Sequence, residues 1–143
     1  MNQYDLLIKN GKVRTAVDSF EAEIGVSEGK ITAIGQKLGK AEWTIDAEGM
    51  LVLPGGIDAH CHIEQESSTR IMTADDFYSG SVSAAFGGNT TFLPFAAQHR
   101  GQSLREVVET ARERAQSKAV IDYGLHLITV SYTHLTLPTI YSV

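Results

Sequence analysis

Leu51-Val52-Leu53-Pro54-Gly55-Gly56-Ile57-Asp58-Ala59-His60-Cys61-His62 is the stretch around which the rest of the chain is read. An apolar run enters a proline–glycine turn, an acid follows, and two histidines stand one residue apart. In extended backbone, successive side chains point to opposite faces. His60 and His62 therefore share a face, and Cys61 takes the other. Two imidazoles on one face make half of a divalent metal site, which zinc completes with further protein ligands. The same pair also reads as two ordinary polar histidines closing a strand. Position favours chemistry, because the C-terminal end of a barrel strand is the catalytic end. Asp58 reads as a further ligand, an acceptor for a ligand's N–H, or a turn residue.

Upstream, residues 1–50 alternate in short bursts. Tyr4 to Ile8 reads as a strand, Asn10-Gly11 as a hairpin turn, and Lys12 to Arg14 as the returning partner. Phe20, Ala22, Ile24 and Val26 share one face of a second strand, and Glu28-Gly29 turns the chain. Ile31 and Ala33, then Trp43, Ile45 and Ala47, continue the period of two. These are several short antiparallel strands, too few for a comfortable independent domain.

Downstream the period changes. Leu51 to Leu53 is expected to open the main domain, and the polar run Glu64-Gln65-Glu66-Ser67-Ser68 suits either a loop over a site or a structural acidic loop. Thr73 and Asp76 have capping-box spacing for a helix to about Phe86, which Gly87-Gly88 stops. Asn89 to Phe95 is a second strand, with Pro94 marking its finish. Gln98, His99 and Arg100 follow in a loop at the same end as the histidine pair, and line a pocket there or are simply solvated. Ser103 and Glu106 cap a second helix whose stripe is Leu104, Val107, Val108, Ala111 and Ala115. Ala119 to Ile121 opens a third strand that Leu125 to Val130 continues. Asp122 and His126 are its polar members, either a buried hydrogen-bonded pair or part of a site wall. Two strand–helix–strand units imply parallel strands with covering helices, in a barrel or an open sheet.

Gly55-Gly56-Ile57-Asp58-Ala59-His60-Cys61-His62 resembles the first metal motif of the hydantoinase and dihydropyrimidinase family of metal-dependent amidohydrolases. Ser83-Ala84-Ala85-Phe86-Gly87-Gly88-Asn89-Thr90-Thr91 and Asp122-Tyr123-Gly124-Leu125-His126 resemble the same family. The likeness runs from about Tyr4 to Thr129; Cys61 departs from it, standing where the family commonly has threonine.

The resemblance implies an α/β fold: the first three strands of a TIM-like (β/α)8 barrel, at 51–130, preceded by strands of a composite small β-sandwich, at 1–50. Three strands cannot close such a barrel, so an apolar third edge is expected to favour aggregation of this chain alone. The resemblance also implies two divalent ions, Zn2+ foremost, with His60 and His62 on the more buried one. Asp58, Gln98 and His126 would stand around them. The reaction implied is hydrolytic opening of a dihydropyrimidine or hydantoin to an N-carbamoyl amino acid. Allantoin or dihydroorotate are the rival substrates, and a non-catalytic scaffold is the rival role. The family's bridging lysine, later histidines and catalytic aspartate fall on later strands. The last lysine here is Lys118, on the second helix. No catalytic base is therefore assigned, Glu64 included, and the chain alone is expected to be inactive. A homotetramer is implied for the parent protein.

Residues 131–143 are expected to be foreign to the fold. Ser131 to Val143 carries no charged residue with His134 neutral, and no helix stripe or glycine turn follows the third strand; it resembles translated sequencing-adapter read-through, with a genuine β-rich C-terminus as the competing reading.

The 143 residues are 43% hydrophobic and 20% charged, with a net charge of −5. This is a globular composition, and its sign argues against nucleic-acid or anionic-membrane partners. One cysteine excludes an internal disulfide. With no spanning run and no leader pattern, the cytoplasm is the expected location.

Overall fold

A computed structural model describes residues 3–67 and 70–130, so expectations for Ser131 to Val143 lie outside the described residues. The chain divides into two compact units, Met1–Pro54 and Gly55–Val143.

The first unit contains β1 (Tyr4–Lys9), β2 (Lys12–Arg14), β3 (Ser19–Glu21), β4 (Glu23–Ser27), β5 (Lys30–Gly35), β6 (Ala41–Asp46) and β7 (Leu51–Val52). One sheet has the order β5-β4-β1-β6 and the other β3-β2-β7. Tyr4, Leu7, Val13, Ile24 and Ala47 are its buried apolar residues.

Four expectations are corrected in this unit. Its strands are not all antiparallel: β1 with β6 and β2 with β7 form parallel ladders. Asn10 does take the left-handed turn conformation, at φ 60°. It does not close a hairpin, however: β1 pairs with β4 and β6, while β2 pairs with β3 and β7. The turn passes the chain between sheets, and Asn10 Nδ2 anchors it by donating to Asp46 Oδ1 at 2.9 Å. The alternating run from Phe20 to Val26 is divided between β3 and β4, which lie in different sheets. Finally, Ile31 and Ala33 do not share a face. Val26 pairs with Ile31 but Gly25 with Ala33, leaving Thr32 as the extra residue of a bulge. Ile31 and Ile34 therefore lie on one face with Val26 and Ile24.

Leu51–Val52 also belongs to this unit. It pairs in parallel with Lys12 and Val13 and is not the first barrel strand. Leu53 follows and then Pro54, which lacks a donor, so the strand goes no further.

The second unit runs β8 (Gly56–Cys61), α1 (Phe77–Phe86), β9 (Asn89–Ala97), α2 (Leu104–Gln116), β10 (Asp122–Tyr123) and β11 (His126–Ile128). β9 is central: Phe92 pairs with Asp58 on one side and Tyr123 on the other. Every pairing in this sheet is parallel. This is the expected fold class, the opening strands of a (β/α)8-type barrel preceded by β-strands, with no closed barrel among the described residues. The core beneath the helices is Ile63, Phe77, Phe92 and Ala115, with Cys61, Ala119, Ile121 and Tyr123 packed against it.

Helix α1 starts later than the Thr73 spacing suggests. Asp76 is the N-cap, with Oδ1 accepting from Tyr78 N at 3.0 Å and Ser79 N at 2.9 Å. Ser79 Oγ completes the box by accepting from Asp76 N at 3.1 Å. The Ser79 backbone N–H, and then Lys118, hold the Asp76 carboxyl below its ordinary pKa. Helix α2 begins as expected: Ser103 Oγ accepts from Glu106 N and Glu106 Oε2 accepts from Ser103 N at 2.7 Å. The third strand lies later than Ala119 to Ile121. Ala119 N still donates to Ala115 O, so the helix exit claims those residues. β10 and β11 then run along β9, interrupted at Gly124, whose N–H donates to Phe92 O at 3.1 Å. Among the described residues no helix is long and apolar enough to cross a membrane.

Candidate metal centre

The histidine pair sits on an irregularity of β8. Asp58 pairs with Phe92 and Cys61 with Pro94, so three steps along β8 match two along β9. The extra residue is a bulge, a device that re-aims side chains at the end of a strand. It also explains Pro94, which was expected to finish β9. The strand continues to Ala97, with Pro94 fully buried. A proline cannot donate to the ladder, and here it lies where the ladder is already broken.

His60 and His62 come together as the alternation predicted. Their ring centroids are 5.3 Å apart, edge to face. Both rest on Phe95, at 4.7 Å for His60 and 5.0 Å for His62, the latter nearly parallel at 15°. Cys61 faces the other way, into the helix-covered core. Burial, reinforced by the Asp58 charge, pushes its thiol up to about 11, against a hydrogen bond from the Leu93 backbone. Both imidazoles remain exposed.

Asp58 holds the bulge: its Oδ1 accepts from His60 N at 3.1 Å. His126 lies on the same side, 4.9 Å from the Phe95 ring. Its Nε2 is 3.0 Å from Ala59 O. A carbonyl only accepts, so that nitrogen carries the proton. His126 is thus a strap from β11 to the backbone between Asp58 and His60. It is not half of a buried pair, because Asp122 is exposed on β10.

Gln98 braces backbone: its Nε2 donates to Gln102 O at 2.8 Å, and its Oε1 accepts from Val130 N at 3.2 Å. His99 contacts Glu66 at 3.6 Å and, with Glu64, Gln65, Gln102 and Arg114, supplies the polar wall of a cavity of about 180 Å³. Arg100 is exposed beside it.

The polar run after His62 is a clamped loop. Both oxygens of Glu64 take Lys118 Nζ, at 3.0 and 2.9 Å, and Oε2 also accepts from Phe77 N at 3.2 Å. Lys118 reaches Asp76 as well, at 3.3 Å, and Glu64 leads the contacts that raise its pKa. Two contacts at the pair were not read from sequence. Phe95 was legible in principle, since three residues from core Phe92 it must face the opposite side. The contact of Gln65 with His62, at 2.6 Å, has no sequence signal.

Two exposed imidazoles on one face fit part of a divalent site. Among the described residues no group of three or more His, Cys, Asp or Glu is arranged to hold a metal ion.

No family model matches the chain. D-hydantoinase of Ralstonia pickettii is 47% identical over 129 residues, covering 90% of this chain and 28% of that protein. Dihydropyrimidinase of Rattus norvegicus is 38% identical over 131 residues, covering 87% and 25%. Allantoinase of Salmonella newport is 37% identical over 120 residues, covering 83% and 26%. A solved D-hydantoinase structure matches with a TM-score of 0.86 at 46% identity, over 92% of this chain and 28% of that one. The chain therefore spans about a quarter of the length of these relatives. With nearly half its residues shared over nine-tenths of its length, it belongs to the hydantoinase and dihydropyrimidinase family of metal-dependent amidohydrolases.

Proposed function

We propose that the protein to which these residues belong opens cyclic amide rings, converting a dihydropyrimidine or hydantoin to an N-carbamoyl amino acid. The observation that carries this is the His60–His62 pair, side by side on Phe95 at the C-terminal end of β8, in a chain this similar to D-hydantoinases. His60 and His62 are two ligands of a binuclear site, for which Zn2+ suits the imidazole donors. Bound there, divalent ions supply Lewis-acid polarisation and a nucleophile near neutral pH. The chain's own part is to hold the two rings. Asp58 fixes the His60 backbone, Phe95 supports both imidazoles, and His126 ties β8 to β11. Gln98 shapes the neighbouring loop.

Among the described residues no candidate base or bridging ligand joins the histidine pair, so we expect residues 1–130 to be inactive alone. The parent protein acts as a cytoplasmic homotetramer. Allantoin is the second substrate to test, because an allantoinase is 37% identical over 83% of the chain. Dihydroorotate and a scaffold role complete the alternatives.

The test is a chimera in which residues 1–130 replace the matching segment of Ralstonia pickettii D-hydantoinase. Ring opening that disappears in His60→Ala is expected, with hydantoin or dihydrouracil preferred over allantoin and dihydroorotate. A folded, metal-loaded chimera without turnover, or turnover untouched by His60→Ala, would refute the proposal.

A further inference from the structure

We infer that Gln65 is a positioning residue that locks the tautomer of His62 and so aims its Nε2 outward as a metal-binding nitrogen. The inference rests on the reading of His62 as a ligand and adds a device that neither the HxH motif nor the comparisons assign.

The geometry starts from one contact: His62 Nδ1 lies 2.6 Å from Gln65 Oε1. An amide oxygen has no proton to give, so Nδ1 must carry the hydrogen. A neutral imidazole holds a single ring proton, and Nε2 is left with a free lone pair. Nε2 is also the nitrogen farther from the backbone, on an exposed ring stacked on Phe95. An acceptor behind a ligating histidine fixes the ring and makes the opposite nitrogen a better donor to metal. His126 takes the other tautomer, because its Nε2 is held by Ala59 O. Two neighbouring imidazoles on Phe95 are thus set to opposite forms by two different oxygens.

Gln65 can do this because its own backbone is immobilised on both sides. Its N–H donates to Thr73 Oγ1 at 3.1 Å, and its carbonyl accepts from Thr73 N at 3.0 Å. The preceding residue is held harder still. Glu64 N donates to Asp75 O at 2.9 Å, and its carboxylate grips Lys118 and the Phe77 N–H. The loop is therefore pinned to the start of α1 and the end of α2. Gln65 itself is half-buried in the cavity wall, so its amide cannot sample solvent freely. Thr73, whose spacing suggested a helix cap, serves this loop instead.

The test uses the whole chain with 15N-labelled histidine, in alkaline buffer. Ring nitrogen shifts assign the tautomer of His62, identified by its loss in His62→Asn. The Nδ1–H form is expected in the native chain and in Gln65→Glu, which keeps an acceptor at the same reach. Gln65→Leu is expected to release the ring to the Nε2–H form and to weaken Zn2+ binding by about tenfold to a hundredfold. An Nε2–H form in the native chain overturns the inference. So does an unchanged tautomer in Gln65→Leu, even where Zn2+ binds normally and the functional reading survives. The expected tautomer pattern together with a folded, metal-loaded chimera that shows no turnover supports the lock and defeats the functional reading.

Discussion

Phe92 and Phe95 lie three residues apart on β9, and the same truncation at each should have opposite consequences. Phe92 is fully buried and packs against Phe77, with ring centroids 6.3 Å apart. Phe92→Ala removes that ring from a close-packed core and leaves a cavity, a loss of about 3–5 kcal/mol. A typical domain is stable by only ~5–15 kcal/mol. Phe95 is half-buried on the other face and supports His60, His62 and His126. Its truncation forfeits only part of a side chain's burial, roughly 1–1.5 kcal/mol.

The assay is urea unfolding followed by helical circular dichroism. Among the described residues both helices belong to the second unit, whereas Trp43 fluorescence reports on β6 of the first. Phe92→Ala should move the midpoint down by a large share of the total. Phe95→Ala should move it little while weakening Zn2+ binding by the histidine pair. Equal stability losses at the two positions would refute the assignment of faces, and with it the placement of the pair.

Four further outcomes follow from the structure. The Cys61 thiol, pushed up to about 11 by burial, should react slowly with a disulfide reagent in the folded chain at pH 8, with about one part in a thousand as thiolate, and rapidly on unfolding. Because this pKa is raised by folding, its stabilising contribution is full below the unfolded value near 9 and is lost as pH rises toward 11; Cys61→Ala should flatten the alkaline limb of stability against pH. Gly25→Ala should cost about 1–3 kcal/mol in denaturant unfolding, because a Cβ there would lie 2.6 Å from Cε1 of the buried Tyr4 ring. Ser103→Ala should cost about 1 kcal/mol by removing the α2 cap, with Ser103→Asp restoring most of it in the same assay.

Local chemistry carried well from sequence where the relevant forces act over a few residues. The Ser103–Glu106 box forms because donor and acceptor are within one helical turn. His60 and His62 share a face because the strand period is set by the backbone. Errors arose where a distant partner decided. Thr73 has the spacing of a cap, but the Gln65 backbone claims its hydroxyl and Asp76 takes the helix. Asn10-Gly11 has hairpin chemistry, yet β2 found its partners in β3 and β7 and not in β1. Pro94 looked like a terminator until the bulge in β8 removed the need for its missing donor.

By itself, then, the sequence determined the strand–helix alternation, the second helix with its cap, the facing of the histidine pair and the family to which the chain belongs. These follow from backbone periodicity, local hydrogen bonding and motif spacing, all contained in neighbouring residues. Only the tertiary structure decided that Leu51–Val52 belongs to the first unit, that Phe95 underlies both imidazoles, and that His126 and Gln65 hold opposite tautomers beside them. The ladder partner of Leu51 lies far back along the chain, and His126 reaches its acceptor Ala59 across 67 residues. Gln65 is close in sequence, but a pinned loop sets its direction, and no periodic pattern records that.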